Sequence, residues 1–365
     1  MFLYFRGEIM GRKDKQYRLN IHQQARKRLE EMCAFGESKR EHKIAGTDKD
    51  KIFSFSTFKT YKKHTDYFTD WMRKEHPEVS VLKKARPFAK EWLTLRAEQT
   101  NKDGKYLSAW TIQTEAKALG KLFGIEPGDP DYFDPPKRNR VDIKRSRGPA
   151  ERDKHFSEVN NKSLIDFCEG TGLRRGELQK LKPEQLMTAE DVKKELEEIG
   201  DPTDTDGVRR KKALKEAVEV LEHFHNRHEV NEKVVVPSYF LRVTGKGGRI
   251  RFSPIVGEHE KEILEKIKNT MPNKKVWGKV HEGADIHNYR SRYSVHVYNL
   301  VARPLEDIPY DGYNKGIKQK VQKDVYVCRK DEKGRRLDKK AMLTASKTLG
   351  HSRIEIIANN YLRNM

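Results

Sequence analysis

The sequence is short of several things, and each shortage removes a class of protein. Cysteine occurs three times in 365 residues, at Cys33, Cys168 and Cys328, with no CxxC pair. An odd, scattered set supplies neither a disulfide framework nor a zinc site, so a reducing, cytoplasmic setting and no structural metal are expected. No run of about 18 consecutive apolar residues is present, which excludes a membrane-spanning helix. The opening "MFLYFRGEIM" is too short and interrupted for a secretory signal, and "MGRKDK" from Met10 reads as a second start. The GxxxxGK[ST] pattern of an ATP-binding loop is missing, as is any carboxylate cluster spaced to hold Mg²⁺, so no cofactor is expected. No internal repeat is found. Negative charge is scarce beside positive: 55 Asp and Glu against 76 Lys and Arg leave a formal net charge of +21. Such an excess repels itself unless a polyanion neutralises it. The usual polyanion is nucleic acid, whose released counterions drive binding.

What is present divides into four stretches. Residues 1–19 form a basic N-terminal segment. Residues 20–124 read as a small helical bundle with basic outer faces. Ile21, Ala25, Leu29 and Met32 recur at helical spacing, and Phe58, Tyr61, Thr65, Phe68 and Met72 make a longer stripe. Lys59, Lys62 and Lys63 lie off that stripe and are candidate DNA contacts. A third helix is expected through "LKKARPFAKEWLTLRAEQ" and a fourth through "SAWTIQTEAKALGKLFG", capped by Ser108. Residues 125–152 carry five prolines among lysines and arginines, including Arg145 and Arg147. They read as an extended linker whose cations could follow phosphates.

Residues 153–365 read as mostly helical with a small sheet. "TGLRRGEL" suggests a glycine turn opening a helix at Arg174. The stretch 188–230 looks helical and solvated. Tyr239, Leu241 and Val243 then alternate with Phe240, Arg242 and Thr244, and Ile250, Phe252 and Pro254 with Arg249, Arg251 and Ser253. The turn "TGKGG" between them makes a β-hairpin with Lys246 at its tip. The fold class expected for the whole chain is mainly α with a small antiparallel β-sheet. "HFHNRH" is not expected to hold a metal, since His225 and His228 could share a helical face but His223 lies off it.

Four places could carry chemistry. Arg174 could clamp a phosphate beside a helix start, where backbone N–H groups already favour an anion. Lys246, on a flexible turn, could reach a phosphodiester oxygen as a proton donor. His287 and Arg290 are three apart and share a helical face. "LGHSRIEIIANNYLRNM" places His351 ten residues before Tyr361. Singly these are ordinary. In this order, the arginine, the hairpin lysine, His-x-x-Arg, Gly-His and a terminal tyrosine resemble the tyrosine recombinase family of phage and conjugative-transposon integrases.

The resemblance spans the second half of the chain, and the bundle with its linker is similar to the family's core-binding domain. It implies that Arg174 and Arg290 bind the scissile phosphate, with Glu177 buttressing them. It implies that Lys246 protonates the 5′-hydroxyl leaving group, that His287 exchanges a proton with the nucleophile, and that His351 donates to the phosphate. Tyr361 would attack phosphorus and become a 3′-phosphotyrosine. Arg249 and Arg251, on the hairpin, would be further DNA contacts. Implied partners are double-stranded DNA at element ends and target, a homotetramer on synapsed DNA, and an accessory directionality factor.

Elementary chemistry agrees. A phosphodiester gains negative charge in its transition state, and two guanidiniums with a histidine stabilise that growth without a metal. A phenol titrates near ~10, and neighbouring cations favour its oxyanion. Two alternatives stay open: a type IB topoisomerase-like or telomere-resolving enzyme with the same chemistry, and a non-catalytic DNA-binding regulator on the same scaffold. The sequence also departs from the family. The step from His351 to Tyr361 is one residue longer than usual. Stretches near 188–230 and 302–340 read as insertions, the second as a basic β-flap. Only "LRNM" follows the tyrosine, where the family usually continues with a segment that packs on a neighbouring subunit.

Overall fold

The computed structural model describes residues 19–100, 102, 104–138, 156–308, 324–329, 332–351 and 353–362; of Lys246 it describes the backbone alone. Arg145, Arg147 and nearly all of the N-terminal segment lie outside these. Two compact units divide between Lys144 and Arg145. The described residues hold α-helices with a three-stranded and a two-stranded antiparallel sheet, in keeping with the expected class. Among them no helix is long and apolar enough to cross a membrane.

The first unit contains α1 (Ile21–Glu31), α2 (Lys39–Ile44), α3 (Phe55–Glu75), α4 (Phe88–Glu98) and α5 (Ala109–Phe123). Asn20 and Gln23 close a reciprocal capping box on α1, and Ser108 caps α5 as expected. The stripes meet in a core of Leu29, Phe68, Met72, Trp92 and Leu122, where Phe68 lies edge-on to Trp92 at 5.6 Å. The third helix is not continuous. A 3-10 turn, Leu82–Ala85, ends before Pro87, and α4 starts at Phe88. Proline has no N–H to donate and its ring crowds the preceding turn. The linker does not start free at residue 125. Ile125 and Phe133 pack on the core, and Arg86 pairs with Asp129 and Asp131, so the proline-rich stretch is anchored that far.

The second unit runs through α6 (Lys162–Thr171), α7 (Arg175–Leu178), β1 (Leu186–Thr188), α8 (Ala189–Glu198), α9 (Thr205–Val230), β2 (Tyr239–Thr244) and β3 (Ile250–Pro254). It continues with α10 (Glu260–Lys268), α11 (Ile286–Val301), β4 (Val325–Val327), β5 (Arg336–Asp338), α12 (Lys339–Thr348) and α13 (Glu355–Asn360). The sheet order is β1-β2-β3, and the expected hairpin closes with Thr244 opposite Ile250. The stretch 188–230 is helical and solvated as expected on its outer side, but one face of α9 is buried. Ala213, Leu214, Ala217 and Leu221 of α9 pack on Phe240 and Phe252 of the sheet, and Val220 and Phe224 on the same helix join the core around Val297 and Ala345. Their three- and four-residue spacing was masked by the lysines and glutamates between them. In the second expected insertion, β4 and β5 pair antiparallel, and Leu337 and Cys328 are buried.

Candidate active site

The site is assembled from five short pieces of the second unit. Helix α6 ends at Gly172, whose φ is +59°, and a Cβ there would stand 2.3 Å from the Tyr293 ring. Glycine alone fits this turn, which delivers Arg174 to the start of α7. Glu177, one turn on, grips that start twice. Its carboxylate accepts the Arg174 backbone N–H at 2.7 Å and the Arg174 Nη1 at 2.7 Å. Of the backbone N–H groups expected to favour an anion here, that of Arg174 is thus already taken by Glu177, and α7 is only four residues long.

Helix α11 begins at an Asp285 cap, which accepts the Asn288 N–H at 3.1 Å. His287 and Arg290 follow on its first turns. Arg175 supports this start from α7 by donating to the carbonyls of His281 and Ala284. Arg290 is buried; its Nη1 donates to Gly172 O and its Nη2 to Leu349 O. Arg174 Nη2 donates to the same Leu349 O at 3.2 Å.

The sequence reading placed Arg251 on DNA, and the structure corrects this. Arg251 is 2% exposed, donates to Glu177 Oε2 at 2.7 Å and bonds Thr348 O at 2.5 Å. Strand alternation alone sent it outward. The register puts it opposite Val243 and puts Ser253 opposite Leu241, on a face covered by other elements. The apolar residues on both faces of β2 were the available signal that neither face meets water. Gly350, at φ +67°, lies against Arg251, and a Cβ there would meet Arg251 Cδ at 2.6 Å. The glycine of Gly-His is thus required by conformation and by the packed arginine together.

After α12, His351 is fixed by its N–H to Ser346 O at 2.8 Å. Helix α13 starts only at Glu355, and Tyr361 closes it with its own carbonyl held by Ser291 Oγ at 3.1 Å. The longer step still brings the side chains together. Tyr361 Oη lies 3.1 Å from His351 Nε2 and 3.4 Å from Arg290 Nε. His287 sits edge-on to the Tyr361 ring, with centroids 5.5 Å apart. Arg174, His287, Arg290 and Tyr361 line one cleft of about 400 Å³. Two further hollows, of about 670 and 450 Å³, lie in the first unit and contain none of these residues.

Lys246 occupies the turn between β2 and β3. The preceding Gly245 approaches the site so closely that a Cβ would lie 3.0 Å from Glu177 Oε1 and 3.3 Å from Arg174 Nη1. Arg249 pairs with Glu216 at 3.3 Å and bonds His351 O at 3.4 Å, so its charge is partly engaged on the rim. On α3, Lys59 and Lys63 are exposed, whereas Lys62 is half-buried and paired with Asp66 at 2.7 Å. In "HFHNRH", His223 bonds Thr344 and His228 bonds Val234 O. Among the described residues no group of three His, Cys, Asp or Glu could hold a metal.

Charge is unbalanced in this cluster. Three guanidiniums, of Arg174, Arg251 and Arg290, converge around the one carboxylate of Glu177. Burial opposes ionisation of Glu177, yet Arg251, the Arg174 N–H, Arg290 and Arg174 outweigh it and hold its pKa at about 2. Burial first, then Arg251, pushes Arg290 down to about 10, which leaves it a cation at neutral pH. Burial and then Arg290, Arg174, Arg251 and Arg249 hold His351 down at about 3, so its imidazole is neutral.

The Glu177 shift predicts a pH dependence. Its folded value lies below the ordinary 4.5, so the unfolded chain takes up the proton first. The stabilisation, about 3 kcal/mol, is present above pH ~4.5 and lost as pH falls toward ~2. Urea unfolding at pH 5 and pH 3 should show this loss in wild type and a smaller one in Glu177→Gln. Fluorine NMR of fluorotryptophan at Trp277, the one tryptophan of the second unit, reads that transition. Equal losses in both proteins would contradict the assignment.

Compared with models of known protein families, with curated proteins and with solved structures, the chain gives no match.

Proposed function

We propose that this chain cleaves and rejoins duplex DNA through a 3′-phosphotyrosine, as a site-specific recombinase of the tyrosine type that moves a mobile genetic element. The observation that carries the reading is the cleft itself. A tyrosine hydroxyl meets a neutral histidine and a buried arginine there, inside a cation cluster with one carboxylate. Such a cluster suits a group that brings negative charge and gains more on reaction, as a phosphodiester does. Arg174 and Arg290 bind its non-bridging oxygens. Tyr361 attacks phosphorus, and Lys246 protonates the departing 5′-oxygen. The covalent link conserves the energy of the broken bond, so another strand's 5′-hydroxyl can reverse the attack. The first unit and the linker cations add sequence-independent grip on the backbone. A homotetramer on synapsed DNA, with an accessory directionality factor, completes the reading.

The test is a nicked suicide duplex carrying an element junction, whose cleaved strand cannot be rejoined. The full chain should leave an SDS-stable adduct at a DNA 3′ end, with the labelled peptide containing Tyr361. No adduct, or one at a 5′ end, would overturn the proposal. Supplying a second duplex then separates the relatives: strand transfer marks a recombinase, and resealing without transfer a topoisomerase-like or telomere-resolving enzyme.

A further inference from the structure

A phenol that bonds to phosphorus must give up its proton, so a nearby group has to take it. We infer that His351 is that group. The inference rests on reading Tyr361 as the nucleophile, and it moves the proton-exchange role from His287 to the Gly-His histidine.

The geometry points to it directly. His351 Nε2 is 3.1 Å from Tyr361 Oη, within reach of a proton transfer, and the two ring centroids are 5.3 Å apart. Both partners are held by their backbones. The imidazole hangs from a turn fixed by Gly350 and by three bonds: His351 N–H to Ser346 O, Ser346 Oγ to His351 O, and Arg249 Nη2 to His351 O. The phenol is held by the end of α13 and by Ser291. Neither side chain needs to travel for the proton to move.

The surroundings keep His351 unprotonated until a substrate arrives. The largest charges acting on it are Arg290 from α11, Arg174 from the start of α7, Arg251 from β3 and Arg249 from the turn just before it, all cations. Together with burial they hold the imidazole neutral. With its hydrogen on Nδ1, Nε2 presents a lone pair to the phenol. An Nε2 that accepts from Tyr361 cannot itself donate to a phosphate oxygen at the same moment, so any such donation falls to Nδ1. A phosphate arriving among the arginines offsets their charge, and the imidazolium then becomes easier to form. Proton uptake is thereby timed to substrate arrival.

The step balances. Tyr361 Oη forms its bond to phosphorus, its proton passes to His351 Nε2, and the bond from phosphorus to the 5′-oxygen breaks. That oxygen takes a proton from a separate acid, the role proposed for Lys246. On rejoining, the imidazolium returns its proton to the phenol.

The experiment follows single-turnover cleavage of the suicide duplex by the full chain, carrying tyrosine or a more acidic fluorotyrosine at position 361. His351→Ala should slow cleavage by about 10²–10⁴-fold, the usual worth of a positioned general base. Fluorotyrosine or added imidazole should restore much of that loss, and neither should accelerate wild type comparably. His351→Gln, close in size to the native residue, should show the same deficit if the alanine variant folds poorly. His287→Ala should keep the wild-type response to phenol acidity. Rescue confined to His287→Ala, or a His351 deficit indifferent to phenol acidity, overturns the inference while leaving Tyr361 as nucleophile. If wild type forms no Tyr361 adduct, the functional reading fails and this inference with it.

Discussion

On the proposed function, replacing Tyr361 with phenylalanine is expected to abolish the covalent protein–DNA adduct and leave duplex affinity within about twofold of wild type, because that reading assigns the affinity to phosphate-binding cations elsewhere. The ring is buried and packs with Ile357 and Leu362, and phenylalanine fills the same volume. What disappears is the hydroxyl and its contacts to His351 and Arg290. Those contacts stabilise the fold by about 1 kcal/mol, too little to unfold the unit. If Tyr361 is the nucleophile as proposed, the loss is of the attacking atom, so cleavage should fall by more than about 10⁴-fold. The neighbouring tyrosines offer no substitute: neither Tyr289 nor Tyr293 is among the residues lining the cleft, and Tyr293 Oη donates to Pro254 O at 2.9 Å. Gel shift and denaturing electrophoresis on one suicide duplex read both quantities. A persistent adduct in the variant would move the nucleophile elsewhere.

The second large effect is on stability. Arg251→Ala should destabilise the second unit by about 3–5 kcal/mol, the cost of leaving a buried charge without its partner. Arg251 and Glu177 are 2% and 3% exposed at the side chain and 2.7 Å apart. Removing the guanidinium also strips the carbonyl of Thr348 of a donor. Arg174 remains on Glu177, which places the loss nearer the lower bound. A double variant, Glu177→Gln with Arg251→Met, should lose less than the sum of its single variants, with a coupling of at least about 1.5 kcal/mol. Fluorotryptophan signals from Trp277 report the transition. Additivity within about 0.5 kcal/mol would mean that the pair does not interact as drawn.

Much of the architecture was legible because it is local. The stripes of α1, α3 and α5 repeat at helical spacing, and "TGKGG" between two alternating runs marks a hairpin. Where packing decides, the local pattern carries less. Helix α2 buries nothing, so no stripe announces it. The apolar face of α9 is diluted by charge until the sheet supplies its partner. Arg251 looked outward because alternation gives two faces without saying that both are covered. At the site, residue order alone suggested the membership of Arg174, Arg290 and Tyr361. The bond between His351 and Tyr361 was not legible, since ten residues across a turn and a short helix match no regular period.

One peptide oxygen has a further consequence. Leu349 O, at the end of α12, receives both Arg174 and Arg290. The two guanidiniums, though 116 residues apart in the chain, share a single mechanical reference. The next residues, Gly350 and His351, lead on toward α13 and Tyr361, the proposed nucleophile. Cation spacing is thus registered upstream of that point and tyrosine delivery downstream of it. A displacement of that one carbonyl would disturb both arginines at once, whereas a shift of α13 reaches Arg290 through Tyr361 Oη, 3.4 Å from its Nε.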